Sequence, residues 1–226
     1  MTLRALVFDF DGTILDTEVP VYTAWNAEFR RLGSELPLAR WLTVVGSAED
    51  PDWMAELAEL AVERGVAFDA EAVAERRRAT RDRMLAASGP RPGVVAMLEQ
   101  AAEAELGLAV ASSSSSDWVV PHLETFGLSD YFSVVMTVDQ VDRGKPAPDL
   151  FLRAAEGLDV APRCCVAIED SHHGVTSANA AGMVSVAVPN EITRHQTFEH
   201  AAHTVASLAE LDLAALAALA TPVSGC

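Results

Sequence analysis

Short apolar runs recur along the chain at residues 3–8, 107–111, 133–138, 164–168 and 184–188. Each is rich in Val, Ala or Leu and almost continuously hydrophobic, the pattern of a strand covered on both faces. Segments with helical spacing separate them, at 93–105, 117–126, 148–157 and 174–181. Strands alternating with helices predict an α/β fold, a Rossmann-like parallel sheet with helices on both faces and right-handed crossovers.

Residues 18–88 break this rhythm. They contain no convincing strand and read as helices at about 19–32, 38–45, 52–64 and 69–87, punctuated by Pro37, Pro51 and Gly65. The pattern predicts a small all-α domain at 18–88, inserted after the first strand of a core made of 1–17 and 89–226. The chain would cross between the two near 17–20 and 88–92. An Ala- and Leu-rich tail at 206–220 predicts a terminal helix packed on the core.

Composition narrows the chemistry. Half of the 226 residues are hydrophobic, enough for a sizeable core, and the formal net charge is -17. Such a field repels phosphate polyanions, so nucleic acid and an anionic membrane are not expected partners. A small phosphorylated metabolite remains compatible if a metal and a few local cations neutralise it. The longest apolar run is too short for a membrane span, and the N-terminal segment lacks a signal-peptide pattern. Cys164, Cys165 and Cys226 form neither a disulfide framework nor a zinc pattern, so reduced thiols in a cytoplasmic, monomeric protein are the expectation.

Four polar clusters sit where predicted strands end. Asp9 and Asp11 flank Phe10 just before Gly12, and strand alternation starts them on the same side. Two carboxylates so close demand a cation between them or a shared proton. The run from Ser112 to Ser116 follows the second strand and precedes a helix, where hydroxyls and free N–H groups form a phosphate cradle. Lys145, the only lysine among sixteen basic residues, lies in a Gly-Lys-Pro loop. Its compact ammonium suits a phosphoryl oxygen or a carboxylate. Glu169, Asp170 and Ser171 end the fourth strand. Their hard oxygens suit magnesium, or equally the N-terminal cap of the following helix. A parallel sheet gathers such strand ends at one edge, the usual ligand site of this architecture.

The stretches DFDGTILDT at 9–17, ASSSS at 111–115, GKPAPDLF at 144–151 and IEDSHHGVTSANAAGM at 168–183 together resemble the four signature motifs of the haloacid dehalogenase superfamily, in the family's order. The helical insertion resembles the family's α-helical cap, in the subgroup of phosphoglycolate-type phosphatases and β-phosphoglucomutase. The resemblance implies Asp9 as nucleophile, Asp11 as acid and base, Ser112 and Ser113 with Lys145 around the phosphoryl group, and Mg2+ on Asp9, Asp170 and the Asp11 carbonyl, with Glu169 a further ligand candidate. It implies an aspartyl-phosphate intermediate. Asp11 disfavours carbon–halogen cleavage, and a cap without lysine disfavours phosphonate hydrolysis. Val21 occupies the position of the mutase's gating histidine, which puts a phosphatase first and a sugar-phosphate mutase second. Gly46, Ser47 and Arg77 are the cap's substrate candidates. The crowd of Arg76, Arg77, Arg78, Arg81 and Arg83 otherwise reads as a solvated basic face.

Overall fold

The computed structural model describes residues 3–47 and 51–220. Six strands form one sheet: β1 (Ala5–Phe8), β2 (Gly107–Ser112), β3 (Val134–Thr137), β4 (Cys165–Glu169), β5 (Val184–Ala187) and β6 (His203–Thr204). Their order is β3-β2-β1-β4-β5-β6, and every pairing is parallel. The sequence pattern predicts the first five. β6 has two exposed residues and no apolar run; it exists because the chain returns alongside β5, with Ala202 N–H donating to the Ser185 carbonyl at 2.9 Å.

Strand alternation sorts β1 into two half-cores. Leu6 and Phe8 join Met97, Leu98, Val110, Leu123 and Ile168 under α5 (Val94–Glu103), α6 (Ser116–Thr125) and α9 (Leu213–Leu219). Ala5 and Val7 join Ala109, Phe151, Ala154 and Ala178 under α7 (Asp149–Gly157) and α8 (His172–Ala180). The second half-core is built largely from alanines, so its helices lie close to the sheet. Burying a side chain the size of Phe8 contributes about 1.5–3 kcal/mol.

The helical insertion holds α1 (Glu18–Arg31), α2 (Leu38–Trp41), α3 (Trp53–Glu63) and α4 (Ala70–Leu85) around its own cluster of Phe29, Leu36, Trp41, Trp53 and Leu57. Asp52 and Asp69 cap α3 and α4 by accepting from Ala55 and Ala72 N–H, each cap worth about 1 kcal/mol. The two crossing strands of chain meet at a bridge between Leu15 and Pro90. The second predicted helix is shorter than expected: after Trp41 the chain turns through residues 42–46 instead of continuing to Val45. The predicted helix at Gly174 starts earlier, at His172, because the Ser171 hydroxyl accepts from Gly174 N–H as its cap.

Cys165 is a buried free thiol, and burial pushes it up to about 12. Cys164 is disulfide-bonded, which corrects the expectation of reduced thiols throughout; Cys226 lies outside the described residues. Among the described residues, no helix is long and apolar enough to cross a membrane.

Candidate active site

The site forms where β1, β2 and β4 end at the same edge of the sheet. Asp9 follows β1 directly, and its N–H still donates to the Ile168 carbonyl at 2.9 Å, so its backbone is fixed by the ladder. The Lys145 ammonium, 1% exposed, donates to Asp9 Oδ1 at 2.5 Å and to Glu169 Oε1 at 2.6 Å. Glu169 Oε2 accepts from Asp170 N–H, Ser171 N–H and the Ser171 hydroxyl. Both Glu169 oxygens thus have donors, and Oε1 holds Lys145. Asp170 Oδ2 accepts from Asn190 Nδ2 at 2.7 Å and from the Thr193 hydroxyl at 3.3 Å.

Asp9, Glu169 and Asp170 present oxygens within 4.8 Å of one another, all buried. Three carboxylates face one ammonium. Burial and the Glu169 charge push Asp9 up to about 8 against the pull of Lys145, and burial with the Asp9 charge raises Asp170. Asp9 Oδ2 is buried with no hydrogen-bond partner. An orphaned carboxylate oxygen beside a second acid, with only oxygen donors at hand, fits a hard divalent cation.

Gly12, at φ +81°, turns the chain just after Asp11, whose carboxylate faces the end of β2 and the start of α6. There it accepts from the Ser114 hydroxyl at 2.6 Å and from Trp118 Nε1 at 2.8 Å, with the Ser112 hydroxyl more distant at 3.5 Å. The conflict between the two acids is relieved by separate partners. A side chain at Gly12 would strike Asp170 Oδ2 at 2.3 Å, so this turn needs glycine twice over, for its φ and for the space. Arg91 holds the turn from behind, donating to the carbonyls of Gly12, Val188 and Pro189.

A cavity of about 200 Å3 opens between these acids and the cap, lined by Asp9, Asp11, Glu18, Val21, Gly46, Ser47, Arg81, Ser113 and Trp118 among others. Gly46 and Ser47 line this cavity. Arg77 is set over the Trp25 ring, 3.1 Å from its centroid, and does not line the cavity; the cap cation on the wall is Arg81, one turn further along α4. Ser113 lines the cavity too, and its hydroxyl donates to the Gly46 carbonyl at 3.3 Å, joining this loop to the cap. A larger cavity of about 590 Å3, lined by Asp16, Arg91 and Arg194 among others, contains none of the clustered acids.

A family model described as haloacid dehalogenase-like hydrolase matches residues 3–182. The chain belongs to the haloacid dehalogenase-like hydrolase family. Among curated relatives, it is 41% identical to YhcW of Bacillus subtilis (strain 168), over 95% of this chain and 96% of that protein. It is 34% identical to the fructose-1-phosphate phosphatase YqaB of Escherichia coli (strain K12), over 81% and 95%. Among solved structures, CbbY from Rhodobacter sphaeroides in complex with phosphate superposes with a TM-score of 0.73 at 28% identity, covering 95% of this chain and 99% of that one. The parallel sheet with a helical cap after β1 is the fold of this family.

Sequence reasoning missed five residues around the haloacid dehalogenase-like site. Ser114 was hidden in a run of five serines with no signal to separate it from its neighbours. Asn190 and Thr193 lie in an irregular segment after β5 and reach Asp170 only through the fold. Trp118 sits inside an apolar helix start and reads as core. Glu18 follows the first motif directly, and its proximity in sequence was the available signal. Its Oε2 is buried without a partner, and burial with the charges of Asp11 and Asp9 pushes it up to about 8.

Proposed function

We propose that the protein is a magnesium-dependent phosphatase that hydrolyses a small phosphorylated metabolite, a sugar phosphate foremost, through an aspartyl-phosphate on Asp9. The observation that carries this reading is Asp9 itself: a buried carboxylate with one oxygen held by Lys145 and the other unpartnered, at the floor of a cavity. In this reading Asp9 Oδ2 attacks phosphorus, and the bond to the leaving alcohol breaks. Asp11 gives its proton to the leaving oxygen, then takes one from the water that hydrolyses the acyl phosphate. Lys145 offsets charge on Asp9 and on the transferring group. Asp9, Asp170 and the Asp11 carbonyl would hold Mg2+, which when bound screens an anionic nucleophile from an anionic ester. The name of the relative YqaB supports a sugar phosphate as substrate.

Purified protein with magnesium is expected to release phosphate from p-nitrophenyl phosphate and from sugar phosphates such as fructose 1-phosphate. Asp9→Asn is expected to lower turnover by about a thousandfold or more, and the same rate in the variant as in the unmodified protein would remove Asp9 from the mechanism. The sugar-phosphate mutase is the second reading. Val21 on the cavity wall weighs against it, since an aliphatic side chain can neither donate nor accept a proton.

A further inference from the structure

The Trp118 indole N–H donates to Asp11 Oδ1 at 2.8 Å, while the Ser114 hydroxyl donates to Oδ2 at 2.6 Å. One short bond on each oxygen fixes the plane of this carboxylate. The indole nitrogen is a donor only, so it cannot exchange roles as a hydroxyl can. The same ring carries two more contacts. His122, one turn along α6, packs against it with centroids 4.1 Å apart, and its Nδ1 donates to the Trp118 carbonyl at 2.7 Å. The guanidinium of Arg81, whose Nε also pairs with Asp82 Oδ1 at 2.8 Å, stands 4.5 Å from the Trp118 ring centroid. Trp118 belongs to the core helix α6 and Arg81 to the cap helix α4. Cap, ring and acid thus form one chain of contacts, Arg81 to Trp118 to Asp11, across the seam between the two parts.

We propose that Trp118 is a positioning residue for Asp11, and that Arg81 sets the Trp118 ring when the cap lies over the site, so that proton transfer to the leaving oxygen is prepared only under a seated cap. This rests on the phosphatase reading, in which Asp11 is the acid. A proton moves only across about 2.6–3.2 Å between heavy atoms, and a misplacement of about 1 Å can slow a reaction about a hundredfold. A group that only packs the seam would slow every ester alike. A group that aims the acid slows most the ester whose leaving oxygen most needs a proton.

The test uses two esters of one shape, phenyl phosphate and p-nitrophenyl phosphate, of which phenolate is the more basic leaving group. kcat/KM covers the steps up to the release of that group. Trp118→Phe keeps the ring and removes the N–H. It is expected to lower kcat/KM about 10- to 100-fold for phenyl phosphate and only about threefold for the nitrophenyl ester. Arg81→Met is expected to show the same selectivity at about three- to fivefold. The double variant should match Trp118→Phe within about twofold, because both act through one path. Equal losses on both esters, or losses that multiply in the double variant, would overturn the proposal. Should Trp118→Phe fail to fold, as read by circular dichroism, Arg81→Met alone decides by its ester selectivity. Asp11→Asn separates the two readings. If the unmodified protein hydrolyses neither ester, the phosphatase reading fails and this one with it; if Asp11→Asn retains full activity on phenyl phosphate, the phosphatase reading stands without Asp11 as its acid and only the present proposal fails. If Asp11→Asn is inactive while Trp118→Phe is unimpaired, only the present proposal fails.

Discussion

Lys145→Met removes the one ammonium from the acid cluster and replaces it with a side chain of similar length. Lys145, Asp9 and Glu169 are 1%, 8% and 0% exposed at their side chains, so water cannot substitute for the lost cation. Glu169 keeps three donors, from Asp170 N–H, Ser171 N–H and the Ser171 hydroxyl. Asp9 loses its one side-chain donor, and its other oxygen already has none. Breaking a buried pair on one side costs about 3–5 kcal/mol. At about 2–4 °C per kcal/mol for a chain of this size, the Tm should drop by about 6–20 °C near neutral pH. The loss should depend on pH with a definite sign. Burial and the Glu169 charge raise Asp9 above its unfolded value, and removing Lys145 raises it further. Between about 8 and that higher value Asp9 keeps its proton in the folded variant but has lost it in the folded unmodified protein, so the variant loses stability relative to it as pH rises. The Tm gap between Lys145→Met and the unmodified protein should therefore narrow on acidification, by up to about 1.4 kcal/mol per pH unit. Thermal melts of both proteins at several pH values from about 8 upward, without added divalent ion, read this directly. A gap that stays constant with pH, or no gap at all, would refute the reasoning that Lys145 compensates buried carboxylates.

Two further outcomes follow from the same site. Gly12→Ala combines a left-handed φ of +81° with a methyl group 2.3 Å from Asp170 Oδ2, and is expected to lose about 1–3 kcal/mol together with most phosphatase activity; an active, equally stable variant by thermal melt and phosphate release would contradict the packing described. Glu18→Gln removes a carboxylate pushed up to about 8 by burial and by Asp11 and Asp9. Ionised Glu18 opposes folding as pH rises from its unfolded value toward about 8, so the variant's Tm should exceed that of the unmodified protein increasingly over that range, and a Tm difference independent of pH would show that Glu18 does not titrate there.

The sheet was legible because its strands are apolar on both faces, and the helical insertion because Pro37, Pro51 and Gly65 mark its breaks. Asp9, Lys145 and Asp170 were legible because each directly follows a predicted strand or sits in a proline-bounded loop, so that topology alone brings them to one edge. What escaped depended on orientation. Alternation along β1 predicts Asp9 and Asp11 on one side, but not that Asp11 takes Ser114 and Trp118 as its partners. The arginines of α4 repeat too closely for the sequence to tell which one faces the cavity; Arg76 is taken by Glu28 and Arg77 by the Trp25 ring, which leaves Arg81 on the wall. β6 carries no hydrophobic signal, since its formation follows from the path of the chain after β5.

The cap's loop rests on the core through its main chain. Gln196 Nε2 donates to the Leu42 carbonyl at 2.9 Å, His173 Nδ1 to that of Val45 at 3.1 Å, and the Ser113 hydroxyl to that of Gly46. Every cap partner in this set is a peptide oxygen, which all amino acids share. The side chain of Val44 can therefore be exchanged without undoing the latch, whereas Gly46, whose added Cβ would meet Ser171 Oγ, cannot. Seating and cavity shape are thereby separable: substitutions at Val44 around a fixed glycine would reshape the cavity wall while leaving lid and floor in register.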